Sequence, residues 1–192
     1  MYTIKDVKNK KIVEVKNFLN QTQLTDLWYK ANECDYTYGR VTNSYSSDRQ
    51  GRMTHVFDAN LFKETDVWKS IEKFVEGPIE LVSNYISYSE SSTINYSHCD
   101  SPSDVISILL NINIEWKRDW GGYTSFFEGP SSSEVIFTSI PEPGKAVFFN
   151  GTIWHYAAPV TSIAAHPRFM MIFKTFHEDL PVHIQDIKMG RE

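Results

Sequence analysis

At Ile79 the apolar residues of this chain change their period, and that change limits the possible folds more than any other feature. Upstream, Leu24, Leu27 and Trp28 recur at helical spacing, and so do Trp68, Ile71 and Val75. The first set predicts a helix from Phe18 to about Ala31, opened by Asn17 or Asn20. The second predicts one capped by Thr65 or Asp66 and stopped by Glu76-Gly77-Pro78. A short strand over 12–15 precedes both. From Ile79 onward the period is two, with β-branched and aromatic residues in runs over 79–88, 95–99, 105–114, 123–127, 135–140, 146–149, 153–160 and 169–176. Turn signals at Glu128-Gly129-Pro130, Pro141-Glu142-Pro143-Gly144 and Asn150-Gly151 separate several of them. Two helices followed by about eight short strands predict an α+β chain with a jelly-roll, or double-stranded β-helix, core.

A length of 192 residues suits one domain that can bury a core without covalent staples. The expected division is helical support and a polar loop over 1–78, the jelly-roll core over 79–176 and a tail over 177–192. Two cysteines, Cys34 and Cys99, form no disulfide framework and suit a reducing compartment. The formal charge of -5 and pI near 5.7 argue against bulk electrostatic binding of nucleic acid. There is no apolar run of membrane-spanning length, and the opening residues lack the apolar stretch of a secretory signal. The expectation is therefore a soluble cytoplasmic protein.

The stretch from Thr37 to His55 is polar and contains Arg40, Arg49 and Arg52. It reads either as a solvated loop or as a lid that contacts substrate. Cys34 reads as a small buried hydrophobe.

Chemistry concentrates around His98 and Asp100. Residues two apart on a strand project to one face, so an imidazole and a carboxylate spaced this way can grip one metal ion, while Cys99 points the other way. The third candidate ligand is His155, inside the apolar run Ile153-Trp154-His155-Tyr156. Two imidazoles and one carboxylate make the facial set of non-haem Fe(II) oxygenases, which leaves positions open for co-substrate and dioxygen.

The residues around this set carry a resemblance. His98-Cys99-Asp100 is followed by Asn113-Ile114-Glu115-Trp116, Trp120-Gly121-Gly122-Tyr123-Thr124-Ser125-Phe126 and Pro143-Gly144-Lys145-Ala146-Val147-Phe148-Phe149. Then come His155, Pro159-Val160 and Arg168. In this order, and over nearly half the chain, the sequence resembles the 2-oxoglutarate- and Fe(II)-dependent dioxygenases, prolyl-4-hydroxylase-like branch. The resemblance implies that His98, Asp100 and His155 form the catalytic centre and hold Fe(II). It implies that Arg168 takes the far carboxylate of 2-oxoglutarate and that Tyr88 hydrogen-bonds this co-substrate, while alternation with Leu109 puts Asn111 and Asn113 on the pocket side, where one of them is expected to touch it. Dioxygen is then the second co-substrate, and ascorbate a possible reductant. Gly121 and Gly122 provide a tight turn, Trp116 and Trp120 pack, and Trp154 points away from the metal.

The chain departs from the family pattern at Tyr123, where an acidic residue is usual. It also has a longer interval from His155 to Arg168, which makes Lys174, on the same strand face, the alternative carboxylate partner. The implied reaction is hydroxylation of a C–H bond. A prolyl residue of a peptide or protein leads, and a free amino acid or small metabolite is second. A jelly-roll protein that holds metal or ligand without turnover is the reading of another class. No nucleic-acid or membrane partner is expected, and the sequence leaves the oligomeric state open.

Overall fold

The computed structural model describes residues 2–7, 10–38, 53–75, 79–93, 95–100 and 106–176. The segment 39–52, which holds most of the candidate lid, and the tail 177–192 lie outside the described residues.

The elements run in the order β1 (Tyr2–Val7), β2 (Lys10–Val15), α1 (Gln21–Glu33), β3 (Thr37–Tyr38), β4 (Met53–Val56), α2 (Ala59–Lys63) and α3 (Asp66–Val75). Next are β5 (Glu80–Ser89), β6 (Ile106–Asn111), β7 (Thr124–Phe127), β8 (Val135–Ser139), β9 (Ala146–Asn150), β10 (Trp154–Ala157) and β11 (Arg168–Phe176). One sheet has the order β1-β2-β9-β6-β11-β5-β4-β3 and the other β10-β7-β8. The segment around His98 extends the smaller sheet by an isolated antiparallel bridge to His155. With that bridge, β9-β6-β11-β5 faces a second layer of His98, β10, β7 and β8. From β5 to β11 the chain therefore crosses between the two layers at every step except the β7–β8 hairpin, which stays in the smaller sheet, as in a jelly roll.

Strand alternation builds two cores. On β11, Phe169, Met171 and Phe173 face the helices, while Met170 and Ile172 face the smaller sheet. On β9, Ala146 and Phe148 take the helix side and Val147 and Phe149 the inner side. Leu24, Leu27 and Ala31 of α1 and Val67, Trp68, Ile71 and Val75 of α3 cover the outer face of the large sheet. Asn20 starts α1 with a capping box, its side chain accepting from Gln23 N while the Gln23 side chain accepts from Asn20 N. The Thr65 hydroxyl accepts from Trp68 N at the start of α3.

Several elements differ from the sequence reading. The hairpin β1–β2 adds two strands at one edge of the large sheet, where a single short strand was expected. At the other edge β4 pairs with β5, so Met53 to His55, read as the end of the loop, form a strand with Val56. The helix α2, capped by Asp58, lies between two expected elements. The strand expected over 95–99 is reduced to the single bridge at His98. No described helix is long and apolar enough to cross a membrane.

Candidate metal centre

The bridge between His98 and His155 sets the geometry of the site. His98 N donates to His155 O at 3.0 Å and His155 N donates to His98 O at 2.8 Å, which places the two residues directly opposite each other. Their rings lie 4.4 Å apart between centroids. Each Nδ1 meets the carbonyl two residues back: His98 with Tyr96 O at 2.9 Å and His155 with Ile153 O at 3.0 Å. A carbonyl can only accept, so in the neutral imidazole Nδ1 carries the proton and Nε2 the lone pair. Both histidines are thereby set in the tautomer a metal ion needs, by backbone partners of the kind that orient metal ligands.

Asp100 completes the set. Its Oδ1 lies 3.8 Å from His98 Nε2 and its Oδ2 lies 3.7 Å from His155 Nε2. One ligand atom from each of the three residues falls within 4.8 Å of the others, and all three are buried. Asp100 N is anchored on Gly151 O at 2.8 Å. The Ser107 hydroxyl donates to Oδ2 at 2.6 Å and the Lys174 ammonium lies 3.2 Å from Oδ1. Burial alone pushes this carboxyl up. The imidazoles of His155 and His98 when protonated, the Lys174 ammonium and the Ser107 hydroxyl outweigh it and hold Asp100 well below the usual carboxylate range. Phe149, edge-on to His155 at 4.9 Å, and the fully buried Phe126 wall the site on the apolar side.

A pocket opens beside the two imidazoles. Leu109, Met170 and Ile172 supply its apolar wall, and Ser87, Ser89, Asn95, Thr124 and Arg168 supply polar groups. Arg168 is buried, and its Nη2 donates to Thr124 Oγ1 at 3.2 Å. Its stem runs past Gly122, where an added β-carbon would lie 2.8 Å from Arg168 Cδ. Gly121 and Gly122 have φ of 69° and 68°, the left-handed backbone that lets the chain turn into β7.

The structure thus brings His98, Asp100, His155 and Arg168 to one place. It does not bring Tyr88 or Asn111 to the pocket. Tyr88 alternates with the pocket residues Ser87 and Ser89, so its ring turns to the helix side, where it packs on Tyr36 and Phe169 and its hydroxyl donates to Glu90 Oε2 at 3.0 Å. Asn111 shares the face of Leu109, as alternation requires, but its amide donates to Lys145 O at 3.2 Å beyond the pocket's lining. Asn113 spans the start of β11, donating to Pro167 O and accepting from Phe169 N. Lys174 faces Asp100, away from the pocket lining. Trp120 is buried with Trp116 edge-on to it, both as packing residues. His166, read from sequence as a plain loop residue, sits edge-on to Trp28 and Trp120 and ties its loop to α1.

Sequence reasoning missed Ser107, and it read Gly122 as a turn residue without its contact with the Arg168 stem. Ser107 is a polar residue inside the run Ile106–Leu110 of β6, whose other members are apolar, and that was its only signal.

No protein-family model matches the sequence, and no curated protein matches it. Solved structures match in fold. A prolyl-4-hydroxylase from Pseudomonas putida superposes with a TM-score of 0.59 at 15% identity, covering 86% of this chain and 92% of that one. A prolyl hydroxylase from Trichoplax adhaerens, in complex with a hypoxia-inducible-factor peptide, gives 0.60 at 15% identity over 94% and 87%. HygX from Streptomyces hygroscopicus, with nickel, 2-oxoglutarate and hygromycin B bound, gives 0.58 at 8% identity over 87% and 82%.

The fold is that of the 2-oxoglutarate- and Fe(II)-dependent oxygenases. Within this oxygenase fold the His98 bridge completes the smaller sheet of the sandwich, and the three candidate ligands meet between the two sheets.

Proposed function

We propose that this chain is a 2-oxoglutarate- and Fe(II)-dependent oxygenase that hydroxylates a C–H bond, foremost of a prolyl residue in a peptide or protein. One observation carries the reading: two buried imidazoles, each fixed with Nε2 as its lone-pair nitrogen, converge on one ionised, buried carboxylate. This donor set of two nitrogens and one oxygen fits Fe(II). His98, Asp100 and His155 would hold the ion, and when bound it supplies, with 2-oxoglutarate and dioxygen, an oxidation that no side chain can perform.

The chain's own groups do the rest. Arg168, in the same pocket as the imidazoles, offers a forked guanidinium suited to the far carboxylate of 2-oxoglutarate. Thr124 steadies that guanidinium. Leu109, Met170 and Ile172 exclude water from the space between the imidazoles and Arg168. The alternative of Lys174 as carboxylate partner is disfavoured, because its ammonium is engaged by Asp100.

The fold is shared by an enzyme whose structure holds a peptide and by one that holds hygromycin B, so a small-molecule substrate is the second reading. Anaerobic Fe(II) plus 2-oxoglutarate should give a weak visible charge-transfer band that His98→Ala abolishes. With dioxygen and a peptide panel, mass spectrometry should record a one-oxygen gain on proline. Succinate formed without any modified peptide would support the small-molecule reading. Iron bound without the charge-transfer band would end the 2-oxoglutarate assignment.

A further inference from the structure

Lys174 brings a full positive charge into the interior, and the pocket that would take co-substrate does not use it. It is only 8% exposed. Strand pairing explains where it sits. Lys174 of β11 and Ser107 of β6 are direct cross-strand partners, so their side chains emerge together on the face that looks at Asp100. The Ser107 hydroxyl donates to Oδ2 at 2.6 Å, and the ammonium reaches Oδ1 at 3.2 Å and Asp100 O at 3.3 Å. Both carboxylate oxygens are therefore gripped by this pair.

The two grips differ in kind. A hydroxyl orients the carboxylate and adds no net charge. An ammonium neutralises it, and it also repels any cation that the same carboxylate holds.

We propose that Lys174 is a built-in counter-cation: it keeps Asp100 assembled with the imidazoles before metal arrives, and its charge weakens the site's hold on a divalent ion. This rests on the reading that His98, Asp100 and His155 bind such an ion. Lys174 acts through Asp100 and is a positioning residue. A lone buried carboxylate is costly, so without Lys174 the metal-free protein loses stability, and a divalent ion takes over its role. With the ion bound, the missing repulsion at a separation of a few ångströms raises affinity by about tenfold or more.

The test is Co(II) titration of the full chain by calorimetry, with thermal unfolding measured with and without Co(II). Lys174→Met should unfold at lower temperature without metal, bind Co(II) about tenfold or more tightly than wild type, and show the larger metal-induced rise in Tm. Lys174→Arg should restore wild-type affinity. Ser107→Ala should weaken Co(II) binding by about tenfold, as loss of an orienting partner does. A merely structural role for Lys174 would weaken binding in Lys174→Met, and equal or weaker binding overturns the proposal. If wild type binds no Co(II), or His98→Ala binds it equally, the metal-site reading fails and this inference falls with it. If Lys174→Met folds neither with nor without Co(II), Asp100→Asn decides. It strands Lys174, so the metal-free variant must unfold at lower temperature than His98→Ala, and equal Tm values overturn the proposal.

Discussion

Replacing Gly122 by alanine tests the link between the backbone turn and Arg168. Gly122 has φ of 68°, where a β-carbon costs about 1–2 kcal/mol. That carbon would also lie 2.8 Å from Arg168 Cδ and 3.1 Å from Trp116 Cζ2. Trp116 is held by its indole donating to Gly121 O at 3.1 Å, so the arginine stem has to give way. Moving it pulls the guanidinium from Thr124 and from the place where a carboxylate would be met. A charge-assisted hydrogen bond contributes about 1.5–3 kcal/mol, so affinity for 2-oxoglutarate should fall roughly 10- to 100-fold. The assay is titration of the anaerobic Fe(II) protein with 2-oxoglutarate, followed by its charge-transfer band, with Tm measured in parallel. Gly121→Ala is the control, with φ of 69° and a β-carbon 2.6 Å from Pro159 O, which strains the same turn without meeting Arg168. Both variants should lose stability, and only Gly122→Ala should lose most of its co-substrate affinity. Equal affinity losses in the two, or none in Gly122→Ala, would refute the reasoning.

Phe148 is fully buried between Phe18, edge-on at 5.6 Å, and Phe74, stacked at 4.7 Å, so Phe148→Ala should cost about 3–5 kcal/mol, read by denaturant unfolding. Tyr36 donates to Ala31 O at 2.6 Å, and burial, reinforced by Cys34 and Tyr88, pushes its phenol above the ordinary tyrosine range. Above about pH 10 the unfolded chain releases this proton while the folded protein keeps it, so stability is intact below that pH and declines above it. Tyr36→Phe should flatten this alkaline fall in Tm, and an unchanged slope would assign it to other groups.

The jelly-roll was legible because the buried strands carry their period openly. The runs Ala146–Asn150 and Arg168–Phe176 are buried on both faces and mostly apolar, as strands between a helix layer and a second sheet must be. What escaped lies at the edges. In β1 the charged Lys5 and Asp6 interrupt the apolar alternation, as suits an edge strand that must not recruit another chain. At the other edge, β3 and β4 have two and four residues, too few to show any period. The strand expected over 95–99 is a single bridge, His98 to His155.

The same reasoning separates what could be read of the site from what could not. Spacing of two put His98 and Asp100 on one face, and the apolar run around His155 announced a buried imidazole. Alternation fixes a face but not a depth along the strand, which is why Asn111 shares the face of Leu109 yet lies beyond the pocket. For Tyr88 the deciding signal was present and pointed the other way. Ser87 and Ser89 are small polar residues in a long buried strand, and lining a polar pocket with them turns Tyr88 toward the helices. Lys174 is the same kind of signal. A lysine within Phe169-Met170-Met171-Ile172-Phe173-Lys174-Thr175-Phe176 is buried only against an opposite charge, and the structure supplies it in Asp100. Read as a charge that needs a partner, Lys174 leads to Asp100, and its place beside Ser107 in the strand pairing follows from the fold.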